Sequence, residues 1–309
     1  MITTYKNVDK QLSVLPEPVN GSWINVVNPS LEEINQLEGL GIPLDYINYP
    51  LDLDERARTE RENGELLIVL RIPYYQGKSV DIPYSTIPLG IILTDRFLIT
   101  ISKLEASVIK EFEAGRARGL STSKRNRFVL RILFNAANQY LSYLREINKT
   151  VDALEDQLQQ STRNKEVLEL LKYQKSLTLF TTALKSNELM MERLRRSHIF
   201  ETYPEDEDLL EDVLTENRQA IEMTNISSNI LSSMMDAFAS IISNNLNGVM
   251  KFLASVTILL SLPTMIASFY GMNVMLPLQD HPSAFFFILV FAALTGILTA
   301  YIFWKRDWF

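Results

Sequence analysis

Nine positions near the C-terminal end of this chain carry the residue types best suited to chemistry: Asp236, Ser240, Ser243, Asn247, Met250, Ala254, Thr257, Ser261 and Thr264. Their spacing alternates four and three, which holds one face of an α-helix along a left-handed superhelical seam. Eight of the nine are small or polar, while Phe238, Ile242, Phe252, Leu253, Leu259 and Leu262 stand on the flanks. The spacing continues through Ser268 to Gly271, just ahead of Met272 and Asn273. Hydroxyl, amide and carboxylate oxygens in a row suit hard cations and the water around them. Small residues on a membrane helix also serve close helix packing. A packing seam has no use for Asp236 and Asn247, however, whereas a water-filled bore does.

The rest of the composition agrees with oxygen chemistry. There are no cysteines, and the two histidines, His198 and His281, are far apart in sequence, so a thiolate or His–Cys metal site is excluded within one subunit. A net charge of −7 argues against nucleic acid as a partner, because phosphate neutralisation needs a basic surface. Gly64, Gly77 and Gly90 are isolated and lack the spacing of a phosphate-cradling loop. No nucleophile–base set or cofactor fingerprint is present, so an enzyme is not expected.

These residues need elements to hold them. Neither 252–269 nor 284–304 contains a charged residue. A helix of about 20 apolar residues spans the roughly 30 Å hydrocarbon core of a bilayer. Two membrane spans are therefore expected, 249–273 and 284–304, with a short loop at 274–283 and a tail at 305–309. Lys251 precedes the first span and Lys305 and Arg306 follow the second, while 274–283 has no Lys or Arg. The positive-inside rule puts both termini in the cytoplasm and the loop outside. The first six residues offer no apolar core, so no cleaved signal peptide is expected.

Upstream, residues 1–119 read as a cytosolic α/β domain with a small sheet. Residues 23–27, 66–72, 87–93 and 97–101 are strand-like, and Thr94, Asp95 and Arg96 read as a tight hairpin. Ser30 and Glu33 form a capping box opening a short helix that ends near Gly39. The mixed-sign cluster from Asp52 to Glu62 reads as a solvated face or subunit contact, with a metal site as the alternative. Residues 120–203 read as an antiparallel helical hairpin, 123–162 and 165–200, turning at Arg163 and Asn164. From Pro204 onward, glycine and proline are absent up to Gly248. A helical stalk over 204–248 would thus run into the first span without a break, about 1.5 Å per residue. Such a helix cannot bury its apolar face alone, which implies self-association. Glu201, Glu205, Asp206, Glu207, Asp208, Glu211 and Asp212 open it, where acidic charge complements the helix dipole.

Tyr270-Gly271-Met272-Asn273, at the end of the first of two C-terminal spans, resembles the signature of the CorA family of divalent-cation channels. Asp236, Ser243, Asn244, Asn247, Val249, Met250 and Lys251 stand in the order and spacing of that family. The resemblance covers the whole chain and is strongest from about Asp212 onward. It implies a CorA-like homopentameric funnel in the plasma membrane, passively conducting Mg2+, with Co2+ and Ni2+ as further passengers. Gly271, Met272 and Asn273 would form the selectivity filter, with Gly271 letting the backbone leave the helix. Asp236, Ser240, Ser243, Asn247, Ala254, Thr257, Ser261 and Thr264 would line the pore, and Met250 and Leu253 would form an apolar constriction. Asp212 falls where the family places a carboxylate of an intersubunit regulatory Mg2+ site. Its neighbour's partner, Asp45, Asp52 or Asp54, is left open.

Two departures stand out. The stretch from Val274 to Leu278 lacks the glutamate many members carry, for which Asp280 is a substitute, and the tail Lys305, Arg306, Asp307, Trp308 is less basic than a lysine-rich one. Within the superfamily the alternative is a zinc transporter of the ZntB type, disfavoured by the intact Met272. Outside it, the alternative is a non-conducting, membrane-tethered cytosolic sensor or scaffold.

Overall fold

The computed structural model describes residues 1–8, 11–62, 64–114, 121–160, 164–200, 203–277, 281–306 and 308. They divide into two compact units, Met1–Met235 and Asp236–Phe309.

The first unit is built on a mixed seven-stranded sheet: β1 (Ile2–Val8), β2 (Gln11–Leu15), β3 (Trp23–Val27), β4 (Arg58–Glu62), β5 (Glu65–Tyr75), β6 (Tyr84–Leu93) and β7 (Leu98–Ser102). The order is β2-β1-β3-β7-β6-β5-β4. Neighbours are antiparallel except β3 and β7, which run parallel with Trp23 opposite Leu98. The hairpin at Thr94 closes as the sequence predicts, with Leu93 opposite Leu98 and the Thr94 N–H donating to Phe97 O.

Both sheet faces are covered, which is why the central strands are largely apolar on both sides, with Asn25 and Thr100 buried as a hydrogen-bonded pair. Along β5, Leu66, Ile68, Leu70 and Ile72 enter one core, whereas Leu67 and Val69 enter the other. The second core is closed by α1 (Leu31–Gly39) and α2 (Leu44–Asn48), followed by a 3-10 turn at Tyr49–Leu51. The capping box forms: Ser30 Oγ accepts from the Glu33 N–H, and Glu33 accepts from the Ser30 N–H. The first core is closed by α3 (Ser107–Glu113), α4 (Arg125–Gln160), α5 (Asn164–Arg196) and the start of α6 (Pro204–Tyr270). The helical hairpin therefore shares its core with the sheet. Arg163, Gly119 and Glu201 lie outside the described residues.

The sheet is larger than expected. The strand β4 carries the sequence Arg-Thr-Glu-Arg-Glu and forms an edge, where charge discourages pairing with another chain. Part of the mixed-sign cluster is thus this strand. Gly90 has a packing duty: a Cβ there would lie 2.1 Å from Pro50 Cγ, so only glycine lets the 3-10 turn seat on β6.

Within the first unit α6 buries a seam of its own: Leu210, Val213, Asn217, Ala220, Thr224, Ser227, Leu231 and Met234. Ion pairs join its N-terminal part to the hairpin. Arg127 meets Glu205 at 2.8 Å and Asp206 at 2.6 Å, and Arg218 meets Glu188 at 3.2 Å and Glu192 at 2.6 Å.

The second unit comprises the C-terminal part of α6 and α7 (Ala284–Lys305), both long and apolar enough to cross a membrane. They pack together at Pro263, where a Cβ on Gly296 would sit 3.6 Å from the proline ring. Farther out, Ile266 and Phe269 share a cleft with Phe287, Ile288 and Phe291.

Candidate cation pathway

The helix α6 presents two sides in the second unit. Ser255 is buried, and Leu259, Leu262, Pro263 and Ile266 are partly buried, marking the side toward α7. At about 3.6 residues per turn, the positions Asp236, Ser240, Ser243, Asn247, Met250, Ala254, Thr257, Ser261 and Thr264 fall on the opposite side. Every one of them is exposed, as is Leu253. The same four-and-three spacing carried back from Asp236 reaches Asp212, and each position passed is exposed as well.

The hydroxyls on this side are oriented by their own helix. Thr257 Oγ1 donates to Leu253 O at 2.8 Å, Ser261 Oγ to Ile258 O at 3.0 Å, and Thr264 Oγ1 to Leu260 O at 2.7 Å. With its hydrogen engaged, a hydroxyl offers only lone pairs outward. Water bound to a cation points its hydrogens away from the ion, so a row of acceptors matches a hydrated cation.

The helix ends at the signature. The Gly271 N–H donates to Ala267 O at 3.0 Å and Ser268 O at 3.1 Å, and the Met272 N–H to Phe269 O at 3.2 Å. Gly271 is not among the glycines with positive φ, which are Gly21, Gly41, Gly64 and Gly77. The backbone freedom expected of it is therefore not used here: a Cβ would touch only Ala267 O and Ser268 O, at an ordinary 3.5 Å. Tyr270, Gly271 and Met272 line a cleft of about 470 Å³ with Ala284, Ile288 and Ala292 of α7, whereas Asn273 is exposed and outside that lining. Asp280 and Leu278 of the loop, and Asp307 of the tail, lie outside the described residues.

The carboxylates behave differently from one another. Asp206 is a structural anchor, its side chain only 3% exposed against Arg127. Glu211 pairs with Arg195 at 3.2 Å. Asp212, one residue on, is exposed. Asp45 stands exposed in the first turn of α2, and Asp52 and Asp54 stand exposed on the loop after the 3-10 turn. Asp52 Oδ1 accepts from the Asp54 N–H at 3.0 Å. Among the described residues, no group of three or more His, Asp or Glu side chains is placed to hold a metal ion.

Sequence reasoning overlooked Arg71. Its guanidinium donates to Leu53 O at 2.6 Å, Glu55 O at 2.9 Å, Thr86 O at 2.7 Å and Thr86 Oγ1 at 2.7 Å. Burial pulls the guanidinium below its ordinary pKa, opposed by Tyr140 and by the charges of Asp54, Asp52 and Glu55. Its partners are 15 to 18 residues distant in sequence, so no local pattern signals the arrangement.

Comparison with known proteins places this architecture. The cobalt/magnesium transport protein CorA of Methanocaldococcus jannaschii is 29% identical over 298 residues, covering 93% of this chain and 90% of that protein. The complete structure of the CorA magnesium transporter from the same organism superposes with a TM-score of 0.87 at 24% identity, covering 100% of this chain and 99% of that one. The ZntB cytoplasmic domain from Vibrio parahaemolyticus also matches, with a TM-score of 0.61 at 13% identity over 79% of this chain and 97% of that one. The CorA-like fold, an α/β soluble part with a long helix and two C-terminal apolar helices, is thus shared with the complete M. jannaschii structure, and its soluble part with the ZntB cytoplasmic domain. The family model described as CorA-like Mg2+ transporter protein matches residues 20–306, and the chain belongs to the CorA family.

Proposed function

We propose that this chain forms a passive Mg2+ channel in the plasma membrane, assembled as a homopentamer with both termini in the cytoplasm, and conducting Co2+ and Ni2+ as well. The observation that carries this reading is the exposed hydroxyl and amide face of α6, turned away from α7 and leading to Asn273. Pentamer stoichiometry rests on the family resemblance.

Mg2+ sheds its inner waters reluctantly and prefers octahedral coordination. A ring of Asn273 amides at the outer mouth takes hydrogen bonds from those waters without stripping them. Thr264, Ser261 and Thr257 repeat the same acceptor surface inward, Asn247 adds amides, and Asp236 supplies negative charge where the ion leaves. Met250 and Leu253, beside Ala254, interrupt this surface with apolar side chains, and such rings close a pore by dewetting. An inward-negative potential of about 100 mV contributes roughly 2.3 kcal/mol per elementary charge, enough to drive entry without ATP.

An open pore would overload the cell, so a cytosolic brake is part of the proposal. Mg2+ bridging Asp212 of one subunit to Asp45, Asp52 or Asp54 of its neighbour stabilises the closed bundle. Losing the ion leaves like charges facing one another. An ion that binds the closed state preferentially shifts the population toward it.

The test is flux into liposomes carrying purified protein, with Mg2+ and Zn2+ compared under the same gradient. The reading expects potential-driven Mg2+ uptake that exceeds Zn2+ uptake. Zn2+ uptake without Mg2+ uptake would favour a zinc transporter, and no flux above empty liposomes would favour a non-conducting sensor.

A further inference from the structure

We infer that the cavity between β1, β3 and α3 is a binding site for a small organic ammonium ion, with the Glu113 carboxylate as its counter-charge. The cavity measures about 300 Å³, near the lower end for ligand pockets, and its lining belongs wholly to the first unit. Tyr5 of β1, Asn25 and Val27 of β3, Ser102 at the end of β7, and Ile109 and Glu113 of α3 are among the residues that line it.

Glu113 closes α3 and is held by two neutral donors. Its Oε1 accepts from Asn25 Nδ2 at 2.8 Å and from Tyr5 OH at 3.1 Å. Both donors are themselves fixed. Asn25 is buried, and its Oδ1 accepts from Thr100 Oγ1 at 2.8 Å, which in turn accepts from Trp23 Nε1 at 2.9 Å. The Tyr5 ring stacks on Trp23 with centroids 4.8 Å apart. Burial, and then the charge of Glu113, push the Tyr5 phenol up to about 12, so it stays a donor at neutral pH. Neutral groups thus orient the carboxylate without cancelling its charge.

The two cations on the lining are engaged elsewhere. Lys110 Nζ pairs with Glu105 at 2.5 Å, and the Met1 ammonium meets Glu33 at 2.9 Å and Val27 O at 2.7 Å. Among the described residues Glu113 forms no ion pair, and its Oε2 accepts no hydrogen bond. Ser102 Oγ spends its hydrogen on Leu104 O at 2.8 Å, which leaves only its lone pairs. The lining therefore offers a guest one uncompensated carboxylate and further acceptors, beside the hydrocarbon of Val27 and Ile109. An ammonium group is the complement: it carries positive charge and N–H donors, and no acceptor. A short alkyl stem then lies along the apolar side chains. A metal ion suits this lining poorly, since a lone carboxylate supplies few of the oxygens it needs. No group of three His, Asp or Glu side chains is placed to hold one among the described residues.

Isothermal titration calorimetry on the detergent-solubilised full chain, at neutral pH and fixed ionic strength, tests the site. The probe is n-butylamine, with n-butanol as its neutral counterpart and butyrate as its anionic one. Butylamine is expected to bind saturably, butanol at least about tenfold more weakly, and butyrate not at all. Glu113→Gln keeps an acceptor for Tyr5 and Asn25 but removes the charge, and should weaken butylamine at least about tenfold while leaving butanol unchanged. Lys110→Ala removes a cation that competes for Glu113, and should tighten butylamine about twofold. Glu105→Gln frees Lys110 to reach Glu113, and should weaken it. Glu105 and Lys110 are exposed, so these two variants keep the comparison valid even where Glu113→Gln folds poorly. Absence of saturable butylamine binding, or equal affinity for butylamine and butanol, would overturn the inference. Butylamine binding unmoved by all three substitutions would assign it to the exposed acids elsewhere on the chain, and would overturn it as well.

Discussion

The proposed selection at the outer mouth rests on Asn273. It stands exposed where α6 has just ended, while Tyr270, Gly271 and Met272 line a cleft with α7. In the proposed channel this division separates two duties within one short motif: Gly271 and Met272 seat the mouth against α7, and the exposed Asn273 amide is left to face the ion. Asn273→Ala removes the acceptor and leaves the seat intact. Mg2+ uptake should fall by at least about tenfold, corresponding to about 1.4 kcal/mol of lost ion stabilisation, while the protein still assembles by size-exclusion chromatography. Normal selective uptake by an assembled variant would remove Asn273 from the filter. The motif was legible because four residue types sit together at a helix end. Arg71 was not, since its role exists only once β5, β6 and the 52–55 loop are brought side by side.

Among the elements, α6 carries two patterns that serve different ends. Its buried seam from Leu210 to Met234 docks it on the first unit, and its exposed four-and-three face leads from Asp212 toward the membrane span. The N-terminal anchor is the Asp206–Arg127 pair, and the acid is buried while Glu205 is 76% exposed. Asp206→Ala leaves Arg127 with only the exposed partner, and should cost about 2 kcal/mol, below the range for a fully buried pair. Glu205→Ala should change stability by less than about 0.5 kcal/mol. Urea unfolding of the two variants, followed by helical circular dichroism, separates the outcomes; equal effects would mean that the pair does not anchor the helix. The long helices were readable because apolar periodicity persists over many turns. The strands β1 and β4 were not, because Ile-Thr-Thr-Tyr-Lys-Asn-Val and Arg-Thr-Glu-Arg-Glu lack a continuous apolar face and owe their state to pairing partners. Gly90 likewise showed its purpose only through Pro50.

At the scale of the whole molecule, copies of α6 in the proposed channel surround an aqueous path, with α7 on the far side of each. A single chain leaves the polar face of α6 uncovered, a costly arrangement in hydrocarbon unless water or another copy meets it. Because the chain contains no cysteine, each introduced thiol reports alone. The most direct test places single cysteines at Asn247, Thr257 and Thr264 on the exposed face, and at Ser255 and Leu259 on the face toward α7, in the membrane-embedded protein. A small water-soluble thiol reagent, applied under low internal Mg2+, should label the first three rapidly and block Mg2+ flux, leaving the other two unreacted. Labelling of Ser255 and Leu259 positions as fast as the rest, or protection of all five, would contradict a water-filled path along this face of α6.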